Sequence, residues 1–285
     1  MNLRFLAILL TICFLNLVVP FGVFSGAAAA DQTPVYSAGE MAGKAVDFIN
    51  QKYKAGERID GYTAYALAGA GEDLAAAKWT RNGKTLKSEI ENLADLLGDD
   101  NSLIKYIYST QNNNGSFGPY ANEYGTKAPL QALASVKDDL TAGGDVYDRV
   151  QNAIAGAVNY FKARYQNGSM TYAVNGWSFD YRCVEALAKA GEDLSLGGWV
   201  YQGASLRDTV MASANSTADA ITADPSVKDA VYLAKELTAL YAVEPASANI
   251  GALAGAIIAK QNTSVAGQVY FGGSIYDHAM VLAAL

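Results

Sequence analysis

Few side chains in this sequence are suited to metal or acid–base chemistry. Asp180 and Cys183 lie one helical turn apart, and His278 is the only histidine. Aspartate, cysteine and histidine all bind zinc, and a catalytic zinc ion takes three protein ligands and keeps one open position. Each residue also fits a structural role: Cys183 as a small buried side chain, Asp180 as a helix N-cap and His278 as a partner of a loop carbonyl. We favour the structural roles and therefore predict no metal ligands, no catalytic residues and no cofactor.

A pair of carboxylates could instead support glycan cleavage. Enzymes of that kind place two carboxyl groups about 5–10 Å apart across a groove. Asp60, Asp180 and Asp277 each stand at the start of a segment rich in alanine and leucine, so they would converge only if these segments surrounded a common centre. The same positions suit N-terminal caps and first-turn acids of helices. Because one repeated cap explains all three, we favour the cap interpretation.

Aromatic side chains are dense in the links that lead into those segments. Such rings could crowd the mouth of a cavity, and a concave apolar site with a few polar groups is the usual form of a ligand pocket. The alternative is that the rings only fill the space between structural units. The residues that we predict to bind a ligand are Phe117, Tyr124, Trp177, Asp180, Tyr181, Phe271, Tyr276 and His278.

The segments that must position these residues are repeated. "YALAGAGEDLAAAKW" at 65–79 returns as "EALAKAGEDLSLGGW" at 185–199, and twelve residues are identical when 60–90 is aligned with 180–210. This internal repeat indicates an architecture built from similar units. Its glycines suit the left-handed position that ends a helix. The following Glu-Asp pairs are then expected in a solvated exit turn, and the two tryptophans are expected to fill a groove between units.

About five helix–loop–helix units follow from the pattern. The first helix of each unit is amphipathic, whereas the second is rich in alanine and leucine and is therefore expected to be buried. Buried second helices inside amphipathic first helices describe an all-α solenoid or closed double ring. The predicted first helices are 38–53, 103–111, 149–165, 206–221 and 248–261, and the second are 62–71, 123–136, 180–190, 227–242 and one starting at Asp277. Strands are expected at most as hairpin-like turns at 116–120 and 268–271.

The first thirty residues read as an export signal. Arg4 precedes an apolar run at 5–24, and small residues lead to Ala30, as at a signal-peptidase site. We predict a signal peptide at 1–30 and an extracellular or cell-surface location, the alternative being an uncleaved anchor. The chain carries 21 Lys and Arg against 28 Asp and Glu, a net charge of −7, which argues against nucleic acid as a partner. With one cysteine after residue 30, the fold cannot depend on internal disulfides.

One loop carries a family resemblance. "QNNNGSFG" at 111–118 resembles the QxxxGxW repeat of squalene and terpene cyclases, with Phe117 in place of tryptophan, and the segments at 167–193 and 270–285 resemble looser versions. The resemblance implies the α/α toroid that this family shares with protein prenyltransferases, here of about five hairpins over 31–285. A complete ring of the family has about six pairs, so we expect an incomplete ring and a protein that continues beyond Leu285.

The resemblance implies a cavity rather than an activity. The Asp-x-Asp-Asp acid of the cyclases and the Asp-Asp-x-x-Asp metal motif of terpene synthases are missing, and Asp180 and Cys183 are spaced differently from the prenyltransferase zinc ligands. We therefore expect an exported toroid domain that binds a ligand in its central cavity or acts as a scaffold. A small molecule, an isoprenoid, a corrinoid or a glycan are the expected ligand classes, together with an association with the cell envelope. The alternative is a cavity enzyme of the cyclase, prenyltransferase or polysaccharide lyase type.

Overall fold

Helices account for almost all of the regular structure. A computed structural model describes residues 37–89, 100–176, 179–260, 271 and 274–285. The prediction of an all-α fold is confirmed, and every predicted helix has a counterpart whose ends differ by a few residues. The helices are α1 (Ala38–Lys54), α2 (Gly61–Gly69), α3 (Asp100–Ser109), α4 (Glu123–Val136), α5 (Asp145–Gln166), α6 (Tyr181–Lys189), α7 (Leu206–Ala223), α8 (Ala230–Val243), α9 (Asn249–Ala259) and α10 (Ile275–Ala284). Residues 86–89 are also helical.

The alanine-rich helices α2, α4, α6, α8 and α10 all begin at a polar cap. In each case the cap side chain accepts a hydrogen bond from a backbone N–H of the first turn, which satisfies a donor that the helix itself cannot. The caps are Asp60, Asn122, Asp180, Asp229 and Ser274. Asp277 completes a capping box with Ser274. The cap and first-turn interpretation of Asp60, Asp180 and Asp277 is therefore confirmed.

The alanine-rich helices contact one another in series. α4 packs against α6, α6 against α8, α8 against α10, and α10 against α2. Two amphipathic helices lie on the preceding member of this series, since α5 packs against α4 and α9 against α8, whereas α7 packs against α8 and α9. In the same way α1 packs against α10, so the first hairpin lies beside the last helix. None of the helices in the described residues is both long enough and apolar enough to cross a membrane.

Two small hairpins follow the repeated phrase. Thr80–Arg81 (β1) pairs with Lys84–Thr85 (β2), and Val200–Tyr201 (β3) pairs with Ala204–Ser205 (β4). Their two-residue turns, Asn82-Gly83 and Gln202-Gly203, have positive φ at both positions, as a type I′ turn requires. These strands were not among the predicted elements, although Asn-Gly is a strong hairpin signal. In the predicted turn at 116–120, Phe117 forms isolated β-bridges with Gln111 and Asn122. Residues 268–270 of the other predicted turn lie outside the described residues.

The repeated Gly-Glu-Asp and tryptophan form one structural unit. Gly71 and Gly191 have φ of +82° and +90°, so the predicted left-handed helix ends are confirmed. The glutamate that follows each glycine, however, accepts a hydrogen bond from the indole Nε1 of the repeated tryptophan, at 2.8 Å in the first copy and 2.9 Å in the second. Trp79 and Trp199 are fully buried. The glutamates were predicted to be solvated, but here they orient an indole; only the aspartates form local turns.

The loop "QNNNGSFG" attaches the α3–α4 hairpin to α5. Gln111 Nε2 donates to the carbonyl oxygens of Ala153, at 2.7 Å, and Gly115, at 2.9 Å. Gly115 has φ of +87°, and a Cβ at this position would lie 2.1 Å from the carbonyl oxygen of Gly156. The close approach of the two backbones therefore requires glycine at 115.

A buried carboxyl lies between α7 and α8. Glu236 has no accessible surface, and its Oε2 accepts a hydrogen bond from Thr217 Oγ1 at 3.1 Å. Its Oε1 has no hydrogen-bond partner among the described residues. Burial raises the pKa of Glu236, although hydrogen bonds from Ser213 and Thr217 lower it. The ionised form is therefore the unfavourable one in this interface.

Replacing Glu236 with glutamine should remove part of the pH dependence of stability. A carboxyl whose pKa is raised on folding holds its proton more tightly in the native state. Its contribution is therefore complete below the unfolded pKa and is lost as the pH rises through the folded pKa. As the pH rises, the free energy of unfolding of the wild type should fall by about 1.4 kcal/mol for each unit by which folding raises the pKa of Glu236. The variant should not show this decrease. Urea unfolding from pH 4 to pH 8 measures the difference. Glu57→Gln at the surface is the control, and parallel curves for wild type and Glu236→Gln would contradict the assignment.

Candidate functional site

The alanine-rich helix α6 carries three charged side chains on one face. Arg182, Glu185 and Lys189 are spaced three and four residues apart, so they project from the same side of the helix. All three retain some accessible surface, although burial is the main influence on the pKa of Glu185, which it raises. Together with side chains of the neighbouring alanine-rich helices they form what we call the central cluster: Tyr62, Tyr65, Gln131, Tyr181, Arg182, Glu185, Lys189, Lys235 and Tyr276.

Arg182 is held by tyrosines of three helices. Its Nε donates to the Tyr181 hydroxyl at 2.9 Å, and its Nη2 donates to the Tyr276 hydroxyl. The guanidinium also lies over the ring of Tyr62, 5.2 Å from the centroid, and over the rings of the other two tyrosines. Cation–π contacts of this kind are stronger where water is excluded. The guanidinium is thus fixed in orientation by α2, α6 and α10 together.

Tyr62 and Tyr181 keep their protons. Burial raises the pKa of Tyr62 and of Tyr181 well above the usual phenol value. The Tyr181 hydroxyl lies 3.5 Å from that of Tyr276 and donates to Met280 Sδ at 3.1 Å. These two phenols are therefore neutral groups beside Arg182.

Glu185 and Lys189 extend the cluster along α6. Lys189 Nζ lies 3.8 Å from Glu185 Oε1 and donates to the Tyr65 hydroxyl of α2 at 2.7 Å. Burial raises the pKa of Glu185, against the opposing effects of Lys189, Arg182 and a hydrogen bond from Gln131 of α4. Polar side chains of three helices therefore meet here: Glu185 and Lys189 of α6, Tyr65 of α2 and Gln131 of α4.

Lys235 brings α8 into the cluster. Its Nζ lies 5.9 Å from the centroid of the Tyr181 ring and donates to Asn175 Oδ1 at 2.7 Å. Burial lowers the pKa of Lys235, and the positive charge of Arg182 lowers it further. Every one of the five alanine-rich helices thus contributes at least one polar or aromatic side chain to the central cluster.

Two of the predicted ligand residues, Tyr181 and Tyr276, belong to the central cluster. Asp180 caps α6 and forms an ion pair with buried Lys127, at 2.6 Å between Oδ2 and Nζ. Tyr124 is 43% exposed, and Lys127 Nζ lies 4.9 Å from its ring centroid. Phe117 is buried in the core. Trp177 lies outside the described residues.

The remaining two predicted residues, Phe271 and His278, contact each other. His278 is buried and stacks on Phe48 with 3.7 Å between ring centroids, while its Nδ1 lies 3.0 Å from the carbonyl oxygen of Ser274. Phe271 meets the same imidazole edge-on at 5.9 Å. Burial raises the pKa of the Cys183 thiol. The described residues contain no group of three or more His, Cys, Asp and Glu side chains that could hold a metal ion.

Most of the central cluster was not predicted from the sequence. Arg182, Glu185 and Lys189 stand at helical spacing within the alanine-rich phrase "YRCVEALAKAG". Charged residues on one face of a helix that is otherwise expected to be buried are a signal for an internal polar site. The sequence contains that signal, but the predicted ligand residues were chosen from the aromatic links and the starts of the alanine-rich helices.

Comparisons with family models, with curated proteins and with solved structures found no match to this chain.

Proposed function

We propose that the chain is an exported α/α toroid domain that binds a small ligand at the centre of its ring of alanine-rich helices. The observation that carries the proposal is the convergence of side chains from α2, α4, α6, α8 and α10 on the central cluster. Aromatic side chains with a few converging polar groups, some of them partly accessible, are the usual composition of a ligand site. Residues 1–30 serve as the signal peptide in this proposal, and the domain acts outside the cell or at its surface.

The contacts of the first and last hairpins support the ring. α1 lies on α10 as α5 lies on α4 and α9 on α8, and α2 contacts α10 in the series of alanine-rich helices. The link between Lys189 and Tyr65 then joins α6 to α2 across the interior. In such a ring, the charged side chains of α6 would point into the enclosed interior.

A ligand screen tests the proposed function. The full chain is mixed with glycans, isoprenoids, corrinoids and small aromatic acids, and the midpoint of thermal unfolding is measured. A ligand at a hundred times its Kd should raise the midpoint by about 5–10 °C for a domain of this size. No shift with any class would contradict ligand binding and leave a scaffold.

A substitution that fills the interior locates the binding. Gln131→Trp places a large ring beside Glu185 and should abolish the shift. Asp138→Trp places the same ring on the exposed turn after α4 and should leave it unchanged. Circular dichroism checks that both variants are folded. A ligand that shifts wild type and Gln131→Trp equally would bind elsewhere, and the interior site would be wrong.

A further inference from the structure

The guanidinium of Arg182 lacks an acidic partner. In the described part of the chain no carboxylate forms an ion pair with it, and the acidic member of the cluster, Glu185, is paired with Lys189. Charges removed from water are normally paired because isolated burial costs several kcal/mol. Three tyrosines orient the guanidinium through hydrogen bonds and cation–π contacts, but none of them forms an ion pair with it. An arginine oriented by aromatic rings and without an ion-pair partner is suited to bind the negative charge of a ligand.

The hydrogen bonds of Arg182 leave one edge open. Nε and Nη2 form the side edge of the guanidinium, and the hydroxyls of Tyr181 and Tyr276 accept from it. Among the described residues no acceptor meets Nη1, so the end edge formed by Nη1 and the second Nη2 hydrogen presents two nearly parallel donors. The two oxygens of a carboxylate match this spacing in a bidentate pair.

A second cation, Lys235, lies near the ring of Tyr181. Lys235 Nζ is bonded to the neutral Asn175 amide and, within the described residues, forms no ion pair. Burial, followed by the charge of Arg182, lowers the pKa of Lys235. One negative charge between the two cations would relieve their repulsion. A doubly charged group would instead face the carboxyl of Glu185 in the same interior.

We infer that the central cluster binds a small organic carboxylate, whose two oxygens accept hydrogen bonds from Nη1 and Nη2 of Arg182 with Lys235 as the second cation. The apolar or aromatic body of the ligand lies against the rings of Tyr62 and Tyr276. This inference rests on the proposed function of interior ligand binding and adds the chemical class of the ligand.

Calorimetric titration of the full chain with three matched probes tests the inference. Benzoate carries a carboxylate, benzamide has the same shape without charge, and phenyl phosphate carries a larger anion. Benzoate should bind about tenfold or more tightly than benzamide, since charge-assisted hydrogen bonds contribute about 1.5–3 kcal/mol. Arg182→Gln should weaken benzoate by a similar factor, and Lys235→Met should weaken it about threefold. Arg207→Gln, at a surface arginine paired with Glu244, is the control and should leave the affinity unchanged.

The outcomes separate this inference from the proposed function. Equal binding of benzoate and benzamide, or benzoate binding that survives Arg182→Gln, overturns the carboxylate site even if another ligand is blocked by Gln131→Trp. Tighter binding of phenyl phosphate than of benzoate also overturns it, in favour of a phosphate ligand. If circular dichroism shows that Arg182→Gln is unfolded, Lys235→Met decides, and an unchanged benzoate affinity in that variant overturns the inference.

Discussion

Trp199→Ala should lower the free energy of unfolding by about 3–5 kcal/mol, the range for removing a large aromatic side chain from a core. Trp199 is 1% exposed, and its ring centroid lies 6.1 Å from that of Tyr165 at the end of α5. The substitution leaves a cavity at the junction of α5 and the β3–β4 hairpin. It also deprives Glu192 of its indole partner. Urea unfolding followed by far-UV circular dichroism measures the loss without relying on tryptophan fluorescence.

Two variants of the same loop make the test specific. Leu196→Ala removes an apolar side chain that is 60% exposed, so its effect should stay within about 0.5 kcal/mol. Trp199→Phe keeps much of the buried ring but not the indole N–H, and its effect should fall between the other two. If Trp199→Ala were no more destabilising than Leu196→Ala, Trp199 would not be a core residue.

The predictions that succeeded rest on local physics. An aspartate or serine before an alanine-rich run can form its cap hydrogen bond within three residues, so Asp60, Asp180 and Asp277 were assigned correctly without any knowledge of the tertiary structure. The roles of Gly71 and Gly191 were equally predictable, because a helix that ends in a left-handed residue favours glycine wherever the helix lies. Such signals fix where the helices begin and end.

The features that were missed depend on contacts across the chain. Tyr65 and Lys189 are 124 positions apart, and the hydrogen bond between them exists only because α2 and α6 face each other. The role of Glu72 was missed for a related reason. Its bond to Trp79 spans seven residues, and it requires the chain to turn back through the 3₁₀ segment Ala77–Trp79, which the sequence pattern does not predict. Aromatic density at the helix ends, by contrast, was visible but does not distinguish a ligand contact from core packing, as buried Phe117 and exposed Tyr124 illustrate.

Asp180→Ala is the second substitution for which we expect a large effect, again a loss of about 3–5 kcal/mol, because it leaves a buried lysine without its partner. The Lys127 side chain is only 3% exposed, and its Nζ lies 2.6 Å from Asp180 Oδ2. The other carboxylate oxygen accepts from the backbone N–H groups of Arg182 and Cys183. One residue thus caps α6 and ties it to α4, and both roles are lost together.

Asp60→Ala is the matched control for Asp180→Ala. Asp60 caps α2 at the equivalent position of the repeat, through a hydrogen bond from the Thr63 amide at 2.7 Å, and in the described residues it forms no ion pair. Its removal should cost only the value of a cap, about 0.5–2 kcal/mol. The double variant Lys127→Met/Asp180→Ala should be more stable than Asp180→Ala alone, because no unpaired charge remains in the interface. Equal losses for Asp60→Ala and Asp180→Ala, or a double variant that is the least stable of all, would show that the Lys127 ion pair is not what makes Asp180 important.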